Sequence, residues 1–331
     1  MRQVLVLMML AIAFTPSQAR SYTKSRPLLI AHRGASGFAP EHTLAAYRLA
    51  IEQGADFVEQ DLQMTKDGAL VCLHDADLAR TTNVAQVFPD RASMRDPQGD
   101  GRARRGYYTI DFTLAEIKRL DAGSWFNRAN PFAAHPEFAG EPVPTLKEAI
   151  QLAGDRVGLY IEMKHYGFYR SMGFDMAERL TKALDESGFK EARSRIFIQS
   201  FSKESLIRLR EVAPHYARVQ LLPMEDAGRS KDTDRITPAL AREIAAYASG
   251  AGPSKNMIRS REDVAALQSA RLLVHPYTFR GATTAVQRRP LDDRLKQAMI
   301  DEVIKFLEFG IDGGFTDYPS VWREAVSRFD R

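Results

Sequence analysis

The sequence has a single cysteine, Cys72, so no disulfide can form within the chain. Cys72 lies inside an apolar run, which favours a small core residue over a nucleophile. Glycine (21) and proline (16) are near their average frequencies for 331 residues, which argues against a disordered or collagen-like chain. No basic block is longer than Arg102–Arg105, and 46 positive charges nearly balance 42 negative ones, so nucleic-acid binding is not predicted.

The chain also lacks an apolar run long enough for a predicted transmembrane segment. Near its start, Arg2 precedes eleven apolar residues, Val4–Phe14, which would rise only about 16 Å as a helix. Small residues follow at Ser17 and Ala19, as in a secretory signal. We therefore expect residues 1–19 to be a cleaved signal peptide and residues 20–331 to be a periplasmic domain. An uncleaved membrane tether is the alternative.

Short apolar runs alternate with amphipathic stretches through the rest of the chain. The predicted strands are Leu28–Ala31, Asp56–Asp61, Leu70–Leu73, Val157–Met163, Arg195–Gln199, Ala217–Leu221, Ser249–Gly252, Leu272–Tyr277 and Gly313–Thr316. The predicted helices are Leu44–Gln53, Leu146–Leu152, Asp175–Glu186, Lys203–Val212, Pro238–Tyr247, Arg261–Gln268 and Leu291–Phe309. Strands that alternate with helices favour parallel pairing through helical crossovers.

One connection is too short for a crossover. Between Asp61 and His74 the sequence has Asp67-Gly68, a strong signal for a two-residue hairpin loop. With that loop, Lys66 would face Ala69 and Asp61 would face His74. Removing the returning arm leaves eight parallel strands, which predicts an α/β fold, the (β/α)₈ TIM barrel.

Two insertions interrupt the barrel pattern. The long one, at about 78–145, follows the hairpin and is rich in Pro, Gly, Arg and Asp; its aromatic residues favour an ordered subdomain. Within it, Thr113 and Glu116 have the spacing of a helix capping box. The second, Met224 to Arg235, is polar and is expected to be a surface loop.

Ionisable residues cluster where strands end. Glu59 and Asp61 are two apart on one strand and point to the same face, and Glu162 and Lys164 repeat this spacing on another. Three carboxylates at the mouth of a barrel favour a hard divalent cation such as Mg²⁺ or Ca²⁺. Each pair taken alone is more often a surface feature, and the joint placement is what favours a site.

The remaining charged groups at the strand ends have complementary roles. His32 and His74 would be free for general acid and base catalysis. Arg33 and Lys164 would supply positive charge for a phosphate. Together with the cation, these groups predict phosphodiester hydrolysis.

The sequence contains the motifs His32–Gly34, Pro40–Thr43, Glu59–Asp61, Thr65–Gly68, His74-Asp75, Arg80–Thr82, Ile161–Lys164, Gln199–Phe201, Val274–Thr278 and Phe315–Pro319. Together these motifs resemble the glycerophosphodiester phosphodiesterase family, bacterial periplasmic branch. The resemblance covers essentially the whole chain after residue 19. The sequence departs from the family at His42, where the family's Pro-Glu-Asn-Thr motif has Asn. Because of this departure, the sequence does not predict the hydrogen bonds around Glu41.

The resemblance implies a function for each of these residues. It implies one divalent cation, expected to be Ca²⁺ with Mg²⁺ as the alternative, held by Glu59, Asp61 and Glu162. It implies His32 and His74 as the acid–base pair and Arg33 and Lys164 as phosphate ligands, with Glu41 in support. Phe201 and Tyr277 would line the glycerol pocket, although for Phe201 a plain core aromatic is nearly as good an interpretation.

The expected function is therefore hydrolysis of glycerophosphodiesters, such as glycerophosphocholine or glycerophosphoethanolamine, to sn-glycerol 3-phosphate and an alcohol. Two rivals are a lysophospholipid-directed phosphodiesterase on the same scaffold and a non-catalytic periplasmic binding barrel. The sequence leaves open the head group, the bound metal, the assignment of acid and base, a cyclic phosphate intermediate and the oligomeric state, for which a homodimer is one option.

Overall fold

A computed structural model of the chain describes residues 26–188, 195–223, 235–280 and 291–330. The predicted signal peptide and nearly all of the predicted loop from Met224 to Arg235 lie outside these residues. In the described residues, no helix is both long and apolar enough to cross a membrane.

Eight parallel strands form a barrel, as the sequence predicts. The strands of the described chain are β1 Leu28–Ala31, β2 Phe57–Met64, β3 Leu70–Cys72, β4 Ser93–Arg95, β5 Arg104–Gly106, β6 Gly158–Met163, β7 Ile196–Ser200, β8 Ala217–Leu222, β9 Gly250–Pro253, β10 Leu273–Val274 and β11 Gly313–Thr316. The parallel strands follow the order β10-β9-β8-β7-β6-β2-β1-β11. The Phe279 amide donates to the Phe315 carbonyl at 2.8 Å and links the chain after β10 to β11.

The helices pack around this barrel. In the described residues they are α1 Leu44–Glu52, α2 Val84–Val87, α3 Leu114–Ile117, α4 Ser124–Ala129, α5 Leu146–Ala153, α6 Tyr166–Ser171, α7 Met176–Glu186, α8 Lys203–Val212, α9 Pro238–Ala245, α10 Arg261–Ser269, α11 Asp293–Phe309 and α12 Pro319–Phe329. The predicted helices all occur, with ends that differ by at most two residues.

The hairpin of β2 and β3 exists, but the predicted register is wrong by one residue. Leu62 pairs with Cys72 and Met64 with Leu70, so Asp61 lies opposite Leu73 rather than His74. The loop has three residues, because the Thr65 amide donates to the Ala69 carbonyl at 3.0 Å. Gly68 has φ +78°, the left-handed conformation that closes a three-residue hairpin loop. His74 therefore follows the end of the arm.

The chain between β3 and α5 packs as an ordered unit on this arm. It contains the β4–β5 hairpin and helices α2 to α4. Val71 and Leu73 of the arm pack with Val84, Phe112 and Ile117 in a small core of their own. The predicted capping box is confirmed, since the Glu116 carboxylate accepts from the Thr113 amide at 2.8 Å.

Candidate active site at the mouth of the barrel

The first part of the site follows β1. The Arg33 amide donates to Glu59 Oε2 at 2.7 Å, and this contact brings the end of β1 against β2. His32 Nδ1 lies 2.6 Å from Asp317 Oδ1, just beyond the end of β11. Both side chains of this pair are nearly buried. The imidazole is thus held by a carboxylate 285 residues away in the sequence.

Two adjacent strands bring the three predicted carboxylates together. In the β2–β6 register Asp61 lies opposite Glu162, and Glu59 lies two residues earlier on the same face. Lys164 Nζ lies 3.3 Å from Glu162 Oε1 and 3.8 Å from Asp61 Oδ1. All four residues are buried, so their charges interact with little screening by water.

Burial and mutual repulsion shift the pKa values of these three carboxylates in different directions. Burial and the neighbouring Asp61 raise the pKa of Glu59 well above its usual value. Burial raises the pKa of Glu162 to about 8 although Lys164 favours its ionised form. Burial also opposes ionisation of Asp61, but Lys164, His74 and His42 hold its pKa well below the usual range. Without a cation, the cluster thus favours one ionised carboxylate over three.

His42 joins this cluster, and Glu41 keeps its hydrogen bonds. His42 Nε2 lies 2.8 Å from Asp61 Oδ2, and its Nδ1 lies 2.9 Å from the Tyr47 hydroxyl. Glu41 accepts from Arg33 Nη1 at 3.0 Å and from Arg80 Nη2 at 2.6 Å. The His in place of Asn therefore contacts a predicted metal ligand and leaves Glu41 bound by two guanidinium groups.

The donor atoms of this cluster are suitable for a metal ion. One ligand atom from each of His42, Glu59 and Asp61 lies within 4.8 Å of the others. Asp61 Oδ1 is buried without a hydrogen-bond partner, which is costly unless a cation or proton faces it. Glu162 is not in this group of three, but its carboxylate adjoins Asp61.

His74 is held from the other side of the mouth. Its Nδ1 lies 2.5 Å from Asp75 Oδ1, and Asp75 in turn accepts from Arg80. Burial lowers the pKa of His32 to about 4 and also lowers that of His74. Both imidazoles are therefore mainly neutral near pH 7. With each Nδ1 directed at a carboxylate, each Nε2 is left as the basic nitrogen.

A cavity of about 110 Å³ collects the predicted residues. Every predicted catalytic, substrate-binding and metal-binding residue lines it: His32, Arg33, Glu59, Asp61, His74, Glu162, Lys164, Phe201 and Tyr277. Phe201 and Tyr277 form an edge-to-face pair with ring centroids 5.9 Å apart on one wall. Glu41 supports the site from behind Arg33 and does not line the cavity.

Three residues at the site had no function predicted from the sequence. Asp317 binds His32, Gln199 Nε2 donates to Glu59 Oε1 at 3.3 Å, and Arg280 lines the cavity. Asp317 and Gln199 belong to motifs already noted at strand ends, so their positions were the available signal. Cys72 lies in the core, where burial raises the pKa of its thiol to about 12 and disfavours a nucleophilic thiolate.

The sequence of the chain is similar to those of known enzymes. The sequence profile of the glycerophosphoryl diester phosphodiesterase family matches residues 32–321. The chain is 37% identical to a glycerophosphodiester phosphodiesterase of Bacillus subtilis, over 97% of this chain and 95% of that protein. It is 31% identical to one of Haemophilus influenzae, over 92% and 90% of the two chains.

Solved structures of similar proteins have the same fold. A crystal structure of glycerophosphodiester phosphodiesterase from Agrobacterium tumefaciens matches with a TM-score of 0.62 at 25% identity, over 90% of this chain and all of that one. A phosphodiesterase of Oleispira antarctica, solved with the product sn-glycerol-3-phosphate, has a TM-score of 0.60 at 24% identity and covers 91% of this chain and 97% of that one. The chain therefore belongs to the glycerophosphodiester phosphodiesterase family of enzymes.

Proposed function

We propose that this enzyme hydrolyses glycerophosphodiesters, such as glycerophosphocholine and glycerophosphoethanolamine, to sn-glycerol 3-phosphate and an alcohol. The observation that carries the proposal is the cavity shared by two histidines, three basic side chains and three carboxylates. The bound sn-glycerol-3-phosphate of the Oleispira antarctica structure supports the same product.

A divalent cation would be held by Glu59, Asp61 and Glu162, with Ca²⁺ expected and Mg²⁺ as the alternative. Asp61 Oδ1 is buried without a hydrogen-bond partner, with Lys164 Nζ no closer than 3.8 Å, and this supports the fit; oxygen donors suit a hard ion. His42 is engaged by Asp61 and Tyr47, and so would orient a ligand carboxylate. When bound, the cation neutralises phosphate charge and favours ionisation of a nearby hydroxyl.

The protein's own groups then carry out the proton transfers. Arg33 and Lys164 bind phosphate oxygens, since both line the cavity and their side chains are only 14% and 10% exposed. One neutral imidazole removes the proton of the attacking oxygen, which is either the substrate's 2-hydroxyl or a water. If the 2-hydroxyl attacks, water then opens the resulting cyclic phosphate to give sn-glycerol 3-phosphate. The other imidazole, once protonated, gives its proton to the leaving alcohol.

A coupled assay for sn-glycerol 3-phosphate, with glycerophosphocholine as substrate, tests this function. We expect His32→Ala and Glu59→Gln each to lower kcat at least about a hundredfold, because each removes a group at the reacting centre. Cys72→Ser, which changes a buried thiol, should keep nearly full activity. Chelation should abolish turnover and added Ca²⁺ should restore it.

The opposite pattern would disprove the assignment. An active His32→Ala variant with an inactive Cys72→Ser variant would remove the proposed acid–base pair. Activity that survives exhaustive chelation would remove the metal from the mechanism. A preference for lysophosphatidylcholine over glycerophosphocholine would favour the lysophospholipid-directed rival.

We also propose that the enzyme is periplasmic, exported by residues 1–19, and that it could form a homodimer. The apolar run Val4–Phe14 and the small residues after it support export. N-terminal sequencing of the mature protein tests this, since an intact Met1 would contradict cleavage after Ala19. Light scattering of the purified protein gives the oligomeric state.

A further inference from the structure

A wide groove opens from the catalytic cavity beneath the inserted unit. Its volume is about 900 Å³, against about 110 Å³ for the catalytic cavity. Four residues line both spaces and make them continuous: His74, Glu162, Lys164 and Phe201. We propose that this groove is the subsite for the leaving alcohol, and that it suits a neutral, hydroxyl-rich alcohol. This inference rests on the proposed function.

The positions of the two histidines indicate how the substrate is oriented, that is, which histidine lies beside the leaving alcohol. His74 lines the wide groove, whereas His32 lines a smaller space of about 300 Å³ on the other side of Arg33. A leaving alcohol in the wide groove places its oxygen beside His74. The bond between phosphorus and that oxygen breaks, and the oxygen takes its proton from Nε2 of the protonated form of His74. The attacking oxygen bonds to phosphorus and gives its proton to His32.

The charges in the groove largely cancel in pairs. Arg104 is paired with Asp100 at 2.6 Å. Glu162 and Lys164 lie 3.3 Å apart, and in the proposed mechanism they face the cation and the phosphate rather than the leaving alcohol. Asp75 is held by His74 and Arg80. These pairs leave little net charge to select an ionic leaving group.

Two polar groups in the wall are not neutralised in this way. Among the residues that the structure describes, Arg105 lies in the groove without an ion pair and can donate hydrogen bonds. Asp77 accepts only from the backbone amides of Ala79 and Tyr107, both at 3.0 Å, and has spare oxygen lone pairs.

One free donor and one free acceptor match a polyol, since hydroxyl groups both donate and accept. A quaternary ammonium group does neither, so it would leave the hydrogen-bonding capacity of Arg105 and Asp77 unused. Phe168 and Phe201 add aromatic surface for the carbon skeleton, and Phe201 is 43% exposed. Inositol and glycerol are alcohols of this class.

The first test compares two glycerophosphodiesters in the sn-glycerol 3-phosphate assay. The wild-type enzyme should have a higher kcat/KM for glycerophosphoinositol than for glycerophosphocholine. Arg105→Ala should reduce the ratio of these two values about tenfold, the effect of one hydrogen bond from a charged donor. Arg102→Ala, on the same hairpin but outside the groove, is the matched control and should leave the ratio unchanged.

The second test concerns the direction of the substrate. A p-nitrophenolate leaves without a proton, so His74→Ala should lose far less activity on glycerophospho-p-nitrophenol than on glycerophosphoinositol. His32→Ala should lose activity on both substrates.

Different results would overturn the proposed function, the polyol subsite and the orientation of the substrate. An enzyme that releases no sn-glycerol 3-phosphate from any of these diesters, with Ca²⁺ present, overturns the proposed function. An active enzyme that prefers glycerophosphocholine, or whose Arg105→Ala and Arg102→Ala variants behave alike, overturns the polyol subsite. Equal losses for His74→Ala on both leaving groups overturn the direction.

Discussion

At the scale of single residues, the site depends on side chains that hold other side chains. Asp317 does not line the catalytic cavity, yet its carboxylate is 2.6 Å from His32 Nδ1. His32, Arg280 and Arg33 hold the pKa of Asp317 below its usual value although burial opposes this. Since Asp317 is ionised, Nδ1 must carry the proton and Nε2 is left free. Asp317 is therefore a positioning residue.

Asp317→Asn should lower kcat about a hundredfold or more and leave KM nearly unchanged, because the tautomer of His32 is no longer fixed. The Asp317 charge also favours the protonated form of His32, so its loss lowers the pKa of His32 further. The acid limb of the pH–rate profile should therefore move to lower pH or stay in place. Steady-state kinetics from pH 4 to 8 measure both effects.

Asp301→Asn is the matched control, since Asp301 lies exposed on α11, away from the site. It should behave as the wild type. An Asp317→Asn enzyme with normal kcat, or with its acid limb moved to higher pH, would contradict the positioning function.

At the scale of elements, the turn between β1 and α1 determines where His32 and Arg33 point. Gly34 has φ +86°, and its amide donates to the Ala31 carbonyl at 3.1 Å. Helix α1 begins against this turn, with the Thr43 side chain accepting from the Ala46 amide. A Cβ on Gly34 would lie 2.7 Å from the Ala46 carbonyl carbon. Only glycine fits between the turn and the helix.

Gly34→Ala should therefore destabilise the enzyme by about 1–3 kcal/mol or more, through backbone strain and the contact with α1. Urea unfolding followed by circular dichroism measures the free energy of unfolding. The control is Gly167→Ala in α6, where a Cβ meets nothing within 4 Å and φ is not positive. That change should stabilise the helix by roughly 0.5–1 kcal/mol. Equal effects of the two variants would refute the argument.

At the scale of the whole molecule, the barrel concentrates carboxylates that no single element would place together. Glu162 has a folded pKa of about 8, above its unfolded value, so the native state keeps a proton that the unfolded chain releases. This destabilises the metal-free protein increasingly as pH rises from about 4.5 to about 8. Below that window the effect disappears, because Glu162 is protonated in both states.

Glu162→Gln should therefore raise the Tm of the metal-free protein, and the gain should be larger at pH 8 than at pH 5. The amide removes the cost of the buried carboxyl, and a gain of a few degrees corresponds to about 1–2 kcal/mol for a chain of this size. Scanning calorimetry after dialysis against chelator measures it. Glu178→Gln, on the exposed surface of α7, controls for loss of a charge. A gain that does not vary with pH would contradict the raised pKa of Glu162.

Much of the fold was predictable, because its signals are local. Apolar runs of four to eight residues and helical patterns between them identified all eight parallel strands, and β1 and β11 have the predicted bounds. The hairpin register was one residue off, because Asp67-Gly68 is typical of a two-residue loop and the observed loop starts at Lys66. The residue types in a loop thus predict the position of a turn more reliably than the number of residues in the loop.

By itself, the sequence determined which residues end the strands and thus which side chains could meet at the mouth of the barrel. Glu59 and Asp61 share a face because side chains alternate along any strand. Only the tertiary structure decided the partners of these residues. Closure of the barrel pairs β1 with β11 and brings Asp317 to His32, and the β2–β6 register places Glu162 beside Asp61. Burial then sets their protonation, because desolvation depends on everything packed around a group and not on its neighbours in the sequence.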